Sequence, residues 1–205
     1  DAVISTAKEA IEKHPFSPRL LYFKGIAHIN KKQYSIALKD LTEGCDLVFD
    51  NPNLKSEFYS LLGDVYHSLN NNQMSDESYS MALEYNNNNT LVLNNYSYYL
   101  ALRGENLNSA LEMIMRCVDL TNEMPNASFL DTYAWVLYKL EKYKQARNHI
   151  EMALELHPNS ATLHDHYGDI LYKLGDIKSA IVQWKTALSI DIDNNELKDK
   201  IKKHE

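Results

Sequence analysis

Tyr167-Gly-Asp-Ile-Leu-Tyr-Lys-Leu-Gly-Asp-Ile-Lys-Ser-Ala-Ile-Val-Gln-Trp-Lys-Thr-Ala-Leu188 is the stretch whose reading decides the fold. Its small residues Gly168, Ala180 and Ala187 stand 12 and then 7 positions apart. The same spacing recurs upstream at Gly25, Ala37 and Gly44, at Gly63, Ser75 and Ala82, at Tyr98, Ala110 and Cys117, and at Ala134, Ala146 and Ala153. Small residues at fixed intervals mark places where two helices cross closely. A self-similar period of about 34 residues is the signature of a stacked array, in which each unit is a helix pair that cannot bury its own apolar face.

The expected architecture is therefore all-α, a solenoid of stacked antiparallel helix pairs with repeats at 18–55, 56–90, 91–126, 127–160 and 161–194. The two longer insertions fall in turns, at Asp50 to Asn53 and at Thr121 to Pro125, so the helical frame survives them. Residues 1–17 read as the second helix of a truncated preceding repeat, with Ala10 on a small site and Pro15 at its end, which suggests a mature or excised fragment. Residues 195–205 read as a polar C-terminal capping helix, with Leu197 and Ile201 spaced to cover the last repeat. Local chemistry marks the boundaries. Asn126, Ser160 and Asp176 are expected N-caps, Gly104 and Gly175 end first helices, and Asn70 takes the turn position that Gly175 fills in the last repeat.

The balance of 21 basic and 28 acidic residues, a formal charge of -7, leaves no polycationic face for phosphates, so no nucleic-acid partner is expected. The local cluster Lys198, Lys200, Lys202 and Lys203 is read as cations complementing the dipole of a terminal helix. No apolar run approaches the roughly 20 residues of a transmembrane helix, and no signal peptide is present. Cys45 and Cys117 fall on second helices of different repeats and are expected to be buried thiols. His164, Asp165, His166 and Asp169 form the one cluster of metal-ligand types. The two histidines are two residues apart and point in different directions, so no metal site is expected. No nucleophile elbow and no phosphate-cradling glycine loop occurs, so no catalytic residue and no cofactor is expected either, and the chain reads as a non-enzyme.

The segment from Tyr167 to Leu188 resembles the tetratricopeptide repeat through Gly168, Leu171, Gly175, Ala180, Trp184 and Ala187. Residues 127–158 are similar, through Tyr133, Ala134, Leu137, Tyr143, Ala146, Ala153 and Pro158. The first two repeats are looser: Ser75 stands on a small site, and Phe49 and Asn87 stand where the family prefers proline. The resemblance implies a right-handed superhelix whose concave face binds proteins. The last three repeats also resemble tandem-repeat adaptors of the bacterial cell envelope, often outer-membrane lipoproteins, through Leu93 to Leu100, Leu130 to Tyr138, and His166 to Asp169 with Trp184. That narrower resemblance implies a periplasmic or outer-membrane-associated setting; a cytoplasmic one stays open.

The family places positions 2, 5, 9, 12 and 13 of each repeat in the groove. Transferred residue by residue, these positions give candidate binding residues Tyr22, Asp64, Asn95, Tyr99, Arg103, Asp131, Trp135, Tyr138, Asp165, Asp169 and Tyr172. Positions 5, 9 and 12 share one helix face. Tyr133 and Tyr167, at the seventh position, are expected to face the core instead. Rings mixed with carboxylates suit a peptide or protein segment that is apolar and neutral or basic. Asp131 and Asp165 stand where a clamp for C-terminal carboxylates needs a cation, so such a tail is a poor candidate ligand. The expected function is a non-catalytic scaffold or adaptor. The alternative is the recognition arm of a larger multidomain enzyme or sensor, and self-association through the array ends is a lesser variant.

Overall fold

The computed structural model describes His14 and residues 16–204. The half repeat expected at Asp1 to Lys13 lies outside the described residues, as does Pro15. Eleven α-helices and no strand occur among the described residues. In chain order they are α1 (Pro18–Asn30), α2 (Tyr34–Asp46), α3 (Pro52–Ser68), α4 (Asn72–Tyr85), α5 (Thr90–Arg103), α6 (Leu107–Leu120), α7 (Ala127–Lys139), α8 (Tyr143–Leu156), α9 (Ala161–Lys173), α10 (Ile177–Ile190) and α11 (Asn195–His204). The chain forms two compact units, Asp1–Val92 and Leu93–Glu205, divided within α5.

The turn between the two helices of a pair has a repeated construction. In four repeats a left-handed residue follows the first helix: Lys32, Asn70, Glu141 and Gly175, with φ of 56°, 58°, 60° and 85°. The next N–H then reaches back five residues, Gln33 to His28, Asn71 to Tyr66, Lys142 to Leu137 and Asp176 to Leu171, at 2.9 to 3.0 Å. This satisfies a carbonyl that the helix end would leave orphaned. Asn70 and Gly175 are the residues expected there. Lys32 and Glu141 adopt the same conformation against their own preference, at a cost of about 1 kcal/mol each. In the third repeat the motif closes one position early, at Gly104, and Asn106 supplies a second left-handed residue before α6 begins. N-caps follow the expected chemistry: the side chains of Asn126, Ser160 and Asp176 accept from backbone N–H groups of α7, α9 and α10.

In the first, second and fifth pairs a large side chain of the second helix sits on the small site of the first. A Cβ added at Gly25 would meet Leu41 at 2.5 Å, one at Gly63 would meet Tyr79 at 2.7 Å, and one at Gly168 would meet Trp184 at 2.4 Å. Ile150 and Ala134, both wholly buried, occupy the matching positions of the fourth repeat. Such close packing leaves no slack for an extra methylene. Ser75, the polar departure at a small site, is also wholly buried and donates its hydroxyl to the Gly63 carbonyl at 2.9 Å.

The core of the first unit is built from Ala37, Leu41, Cys45, Val48, Leu54, Phe58, Leu62 and Val65. In the second unit one cluster centres on Ala134, Leu137, Ala146, Ile150, Ala153 and Ile170, and another joins Leu171, Ala180, Trp184 and Ala187 to Leu197 and Ile201 of α11. Both cysteines are buried and neither is in a disulfide, and burial pushes the Cys117 thiol up to about 12. Among the described residues no helix is long and apolar enough to cross a membrane.

Candidate functional site

Of the eleven candidate binding residues, Tyr22 and Asp64 belong to the first unit and the other nine to the second. In the first unit Tyr22 meets Phe58 edge-on, with ring centroids 5.3 Å apart. Asp64 accepts a hydrogen bond from the Tyr79 hydroxyl at 2.5 Å, on the ring that overlies Gly63. Glycine makes room for the ring and the following aspartate takes its polar atom.

That pairing recurs in the second unit. Trp184 overlies Gly168, and its indole N–H donates to Asp169 Oδ1 at 3.0 Å. Asp169 and Asp165 lie one turn apart on α9, and both accept from Lys200 of α11, at 2.9 and 2.7 Å. Burial lowers the affinity of Lys200 for its proton, but the hydrogen bonds and charges of Asp165 and Asp169 outweigh it and raise the pKa. Burial also holds Asp169 above the usual carboxylate value, against the pull of Lys200 and Trp184. Tyr172, one turn further along α9 and 37% exposed, faces the His204 ring at 4.5 Å.

One repeat earlier the arrangement is similar. Asp131 on α7 lies 2.7 Å from His166 Nδ1 on α9. The His166 ring stacks on Trp135 at 4.3 Å, and Trp135 stacks on Tyr138 at 4.8 Å with the planes 9° apart. Lys139 Nζ lies 5.5 Å above the Trp135 ring. Trp135 is thus covered on its faces by its own protein, so the part of this cluster that can meet a ligand is its rim. Burial pushes the Tyr138 hydroxyl up to about 12, with the charge of Asp169 adding to it. On α5, Arg103 Nε donates to Glu105 at 2.8 Å, Asn95 accepts from Asn94 at 3.0 Å, and Tyr99 lies 5.7 Å from Tyr98.

The structure therefore brings together Asp131, Trp135 and Tyr138 in one cluster and Asp165, Asp169 and Tyr172 in another. The carboxylates that were expected to await a basic ligand have internal partners: Asp64 has Tyr79, Asp131 has His166, and Asp165 and Asp169 share Lys200. Lys200 was expected only to complement a helix dipole, and no ionic role was expected of the histidines. One signal in the sequence marks both. Asp131 to His166 and Asp165 to Lys200 are each 35 residues apart, one period plus one position. His164, by contrast, has its ring nitrogens at Gln183 and the Pro158 carbonyl, 2.6 and 2.9 Å away, so the two histidines do point apart. Tyr133 stacks on His149 and the Tyr167 hydroxyl donates to Glu151, both on α8, which fits their core-facing assignment.

The His166 pair makes stability depend on pH in a defined direction. Burial lowers its pKa, but the hydrogen bond to Asp131 and the charges of Asp131, Asp165 and Asp169 more than reverse this, so the net shift is upward. A histidine whose folded pKa is raised contributes stability in full below its unfolded pKa, and loses that contribution as pH rises through the folded value. Replacing His166 with Gln should therefore cost more at pH 6 than at pH 9, in thermal melts at matched ionic strength. An equal loss at both would remove the charged pair from the account. Half-buried His149, whose pKa is lowered by its partial burial, acts with the opposite sign, which is why the comparison is made against the variant and not within wild type.

Among the described residues no group of three or more His, Cys, Asp or Glu side chains could hold a metal ion. Family models described as tetratricopeptide repeat match residues 134–190 and 56–89. No curated protein matches the sequence. Among solved structures, PilW, described as a widely conserved type IV pilus biogenesis factor, is similar with a TM-score of 0.81 at 15% identity, over 91% of this chain and 85% of that one. Pseudomonas aeruginosa pilF is similar with a TM-score of 0.71 at 20% identity, over 84% of this chain and 75% of that one. YrrB, described as a TPR protein with an unusual peptide-binding site, gives 0.67 at 17% identity, over 96% and 97%. At these identities the likeness is one of fold.

Proposed function

We propose that this chain, a member of the tetratricopeptide repeat family, is a non-catalytic scaffold or adaptor that binds a peptide or protein segment along the first helices of its second unit. The observation that carries the reading is the run of rings on α7 and α9. Tyr138 and Trp135, at positions that alignment of the repeats assigns to the binding face, stack on each other, and Trp135 stacks in turn on His166. Aromatic clusters with fixed rotamers meet a ligand at low entropic cost.

The partner on this reading is chiefly apolar. A preference for basic charge is weaker than the acidic count suggests, since Asp131, Asp165 and Asp169 already hold cations of this chain. A ligand cation gains there only by displacing one of them. A bacterial envelope setting is part of the proposal. It is supported by the resemblance of the last three repeats to envelope adaptors, and it accords with the description of PilW as a pilus biogenesis factor.

The test is affinity capture from separate envelope and cytosolic fractions, with wild type and a Tyr99→Ala/Tyr138→Ala/Tyr172→Ala variant as baits. Trp135 is left intact because it packs on both faces. Loss of three anchors of about 1–2 kcal/mol each should reduce specific captures at least tenfold while far-UV circular dichroism is unchanged. Retention of the same proteins by both baits would move the binding site off this face, and captures confined to the cytosolic fraction would remove the envelope setting.

A further inference from the structure

The last helix, α11, is held differently from every other helix of the second unit. Its buried residues are Leu197 and Ile201, which join Leu171, Ala180, Trp184 and Ala187. To these it adds the Lys200 contacts to Asp165 and Asp169 and the tilted approach of the His204 ring to Tyr172. The rest of α11 is polar. At ten residues it is shorter than a helix that is stable alone.

The seat beneath it is built without its help. Trp184 is fixed over Gly168 and hydrogen-bonded to Asp169, so α9 and α10 present a finished apolar floor with two carboxylates at its edge. The preceding seat, on α7, takes α9 in the same way. Leu163-His-Asp-His-Tyr167 and Leu197-Lys-Asp-Lys-Ile201 are the same pattern one period apart: an apolar residue, then any residue, Asp, a cation and a second apolar residue. In both, the cation pairs with the aspartate 35 residues earlier, and the helix start is capped onto the first apolar residue, Ser160 to Leu163 and Asn194 to Leu197. The difference lies on the opposite face. α9 is clasped there by α10 at Gly168, whereas α11 has exposed Lys202 at the equivalent position and exposed Lys198 four residues before it. One helix is gripped on two sides and the other on one.

We propose that the end of the second unit, formed by α9 and α10, is a helix-docking site which α11 fills in cis and which an amphipathic helix of a partner protein takes in trans. The partner helix carries an apolar residue, a Lys or His three positions on, and a second apolar residue directly after that cation. Charge complementarity commits the choice. Asp165 and Asp169 without a cation would be two adjacent, half-buried carboxylates, so an acidic or wholly apolar helix leaves the seat unsatisfied. This site adjoins the aromatic face proposed above through Asp165, Asp169 and Tyr172, but the peptide titration below changes no residue of α5, α7 or α9, so either reading can fail alone.

Two measurements on the full chain test it. In wild-type hydrogen exchange, the amides of α11 should exchange at least tenfold faster than those of α9 and α10. Equal protection would mean that α11 is integral and that no seat is on offer. In the second, a labelled peptide of residues 193–205 is titrated by fluorescence anisotropy against wild type and against Leu197→Asp/Ile201→Asp, which detaches α11 and leaves the seat unaltered. The peptide should bind the variant at least tenfold more tightly than wild type, and reversing Lys200 to Glu in the peptide should abolish that gain. Equal weak binding to both proteins, with the helicity of α1 to α10 retained in the variant, overturns the proposal. So does undiminished binding of the charge-reversed peptide. Concentration-dependent dimerisation of wild type in sedimentation, reversed by the free peptide, would assign the seat to a second copy and overturn the partner-protein reading.

Discussion

Trp184→Ala is expected to lower stability by about 3–5 kcal/mol, the range for removing a large buried aromatic side chain without collapse of the site. Trp184 is 2% exposed and joins several parts of the last repeat. It fills the space over Gly168, donates to Asp169, lies 5.9 Å from the Tyr172 ring and forms part of the floor under Leu197 and Ile201. Backbone at the helix crossing cannot move in to fill the void, because Ala180 and Ala187 already bring the second helix as near as a side chain allows. In a stacked array the loss falls first on the repeat that holds the mutation and on its neighbours. Urea unfolding should therefore show the last repeat and α11 melting ahead of the fourth. Trp135, the other of the two tryptophans, reports the fourth repeat by fluorescence. Trp184→Phe separates packing from hydrogen bonding: it keeps most of the volume, drops the bond to Asp169, and should cost about 1–2 kcal/mol. A loss below about 1 kcal/mol for Trp184→Ala would mean that the small-over-large crossing is not what holds the pair together.

How far these features could be read without coordinates depends on which residue carried the signal. Gly168, Ala180 and Ala187 were legible because a helix crossing admits only small side chains, and the restriction repeats. The turn at Gly175 was legible for a similar reason, since a left-handed residue favours glycine or asparagine. Lys32 and Glu141 take the same conformation, and nothing in their chemistry announces it. They are set there by the two helices that the turn must join. The candidate binding positions followed from the repeat, and the pairing of their charges did not. Asp131 and Asp165 were read along their own helices, where residues four apart are neighbours, whereas their partners stand one period further on. Opposite charges at a separation of one period plus one are invisible to a helical-wheel reading and plain to a reading that stacks the repeats. Trp135 shows the converse limit. Its place on α7 follows from the repeat, but the covering of both faces by Tyr138 and His166 depends on the distance between consecutive first helices, which residue spacing does not give.

The second large effect lies in the first repeat. Lys24 stands at the seventh position, where later repeats place Tyr133 and Tyr167 facing the core. A lysine there demands a partner, and the structure supplies Asp40 of α2 at 2.6 Å, with the carboxylate side chain only 4% exposed and the lysine 18% exposed. His28 approaches the other carboxylate oxygen at 3.5 Å and is itself held by Gln33 at 2.7 Å. Lys24→Met removes one partner and leaves a carboxylate in the protein interior, so it should destabilise by about 3 kcal/mol, near the lower end for a broken buried pair. Lys24→Met/Asp40→Leu removes both charges and should lie within about 1 kcal/mol of wild type, because a buried pair and an apolar pair of similar volume are often equivalent. The measured coupling in that cycle, from urea midpoints, is the decisive quantity. A large loss in the double variant would show that the ion pair itself stabilises the first repeat. A small loss in the single variant would show that His28 alone satisfies Asp40, which adding His28→Gln to Lys24→Met should then abolish. The expected result lies between these. The pair fixes which faces of α1 and α2 meet, beside the Gly25 and Leu41 contact, and contributes register more than net stability.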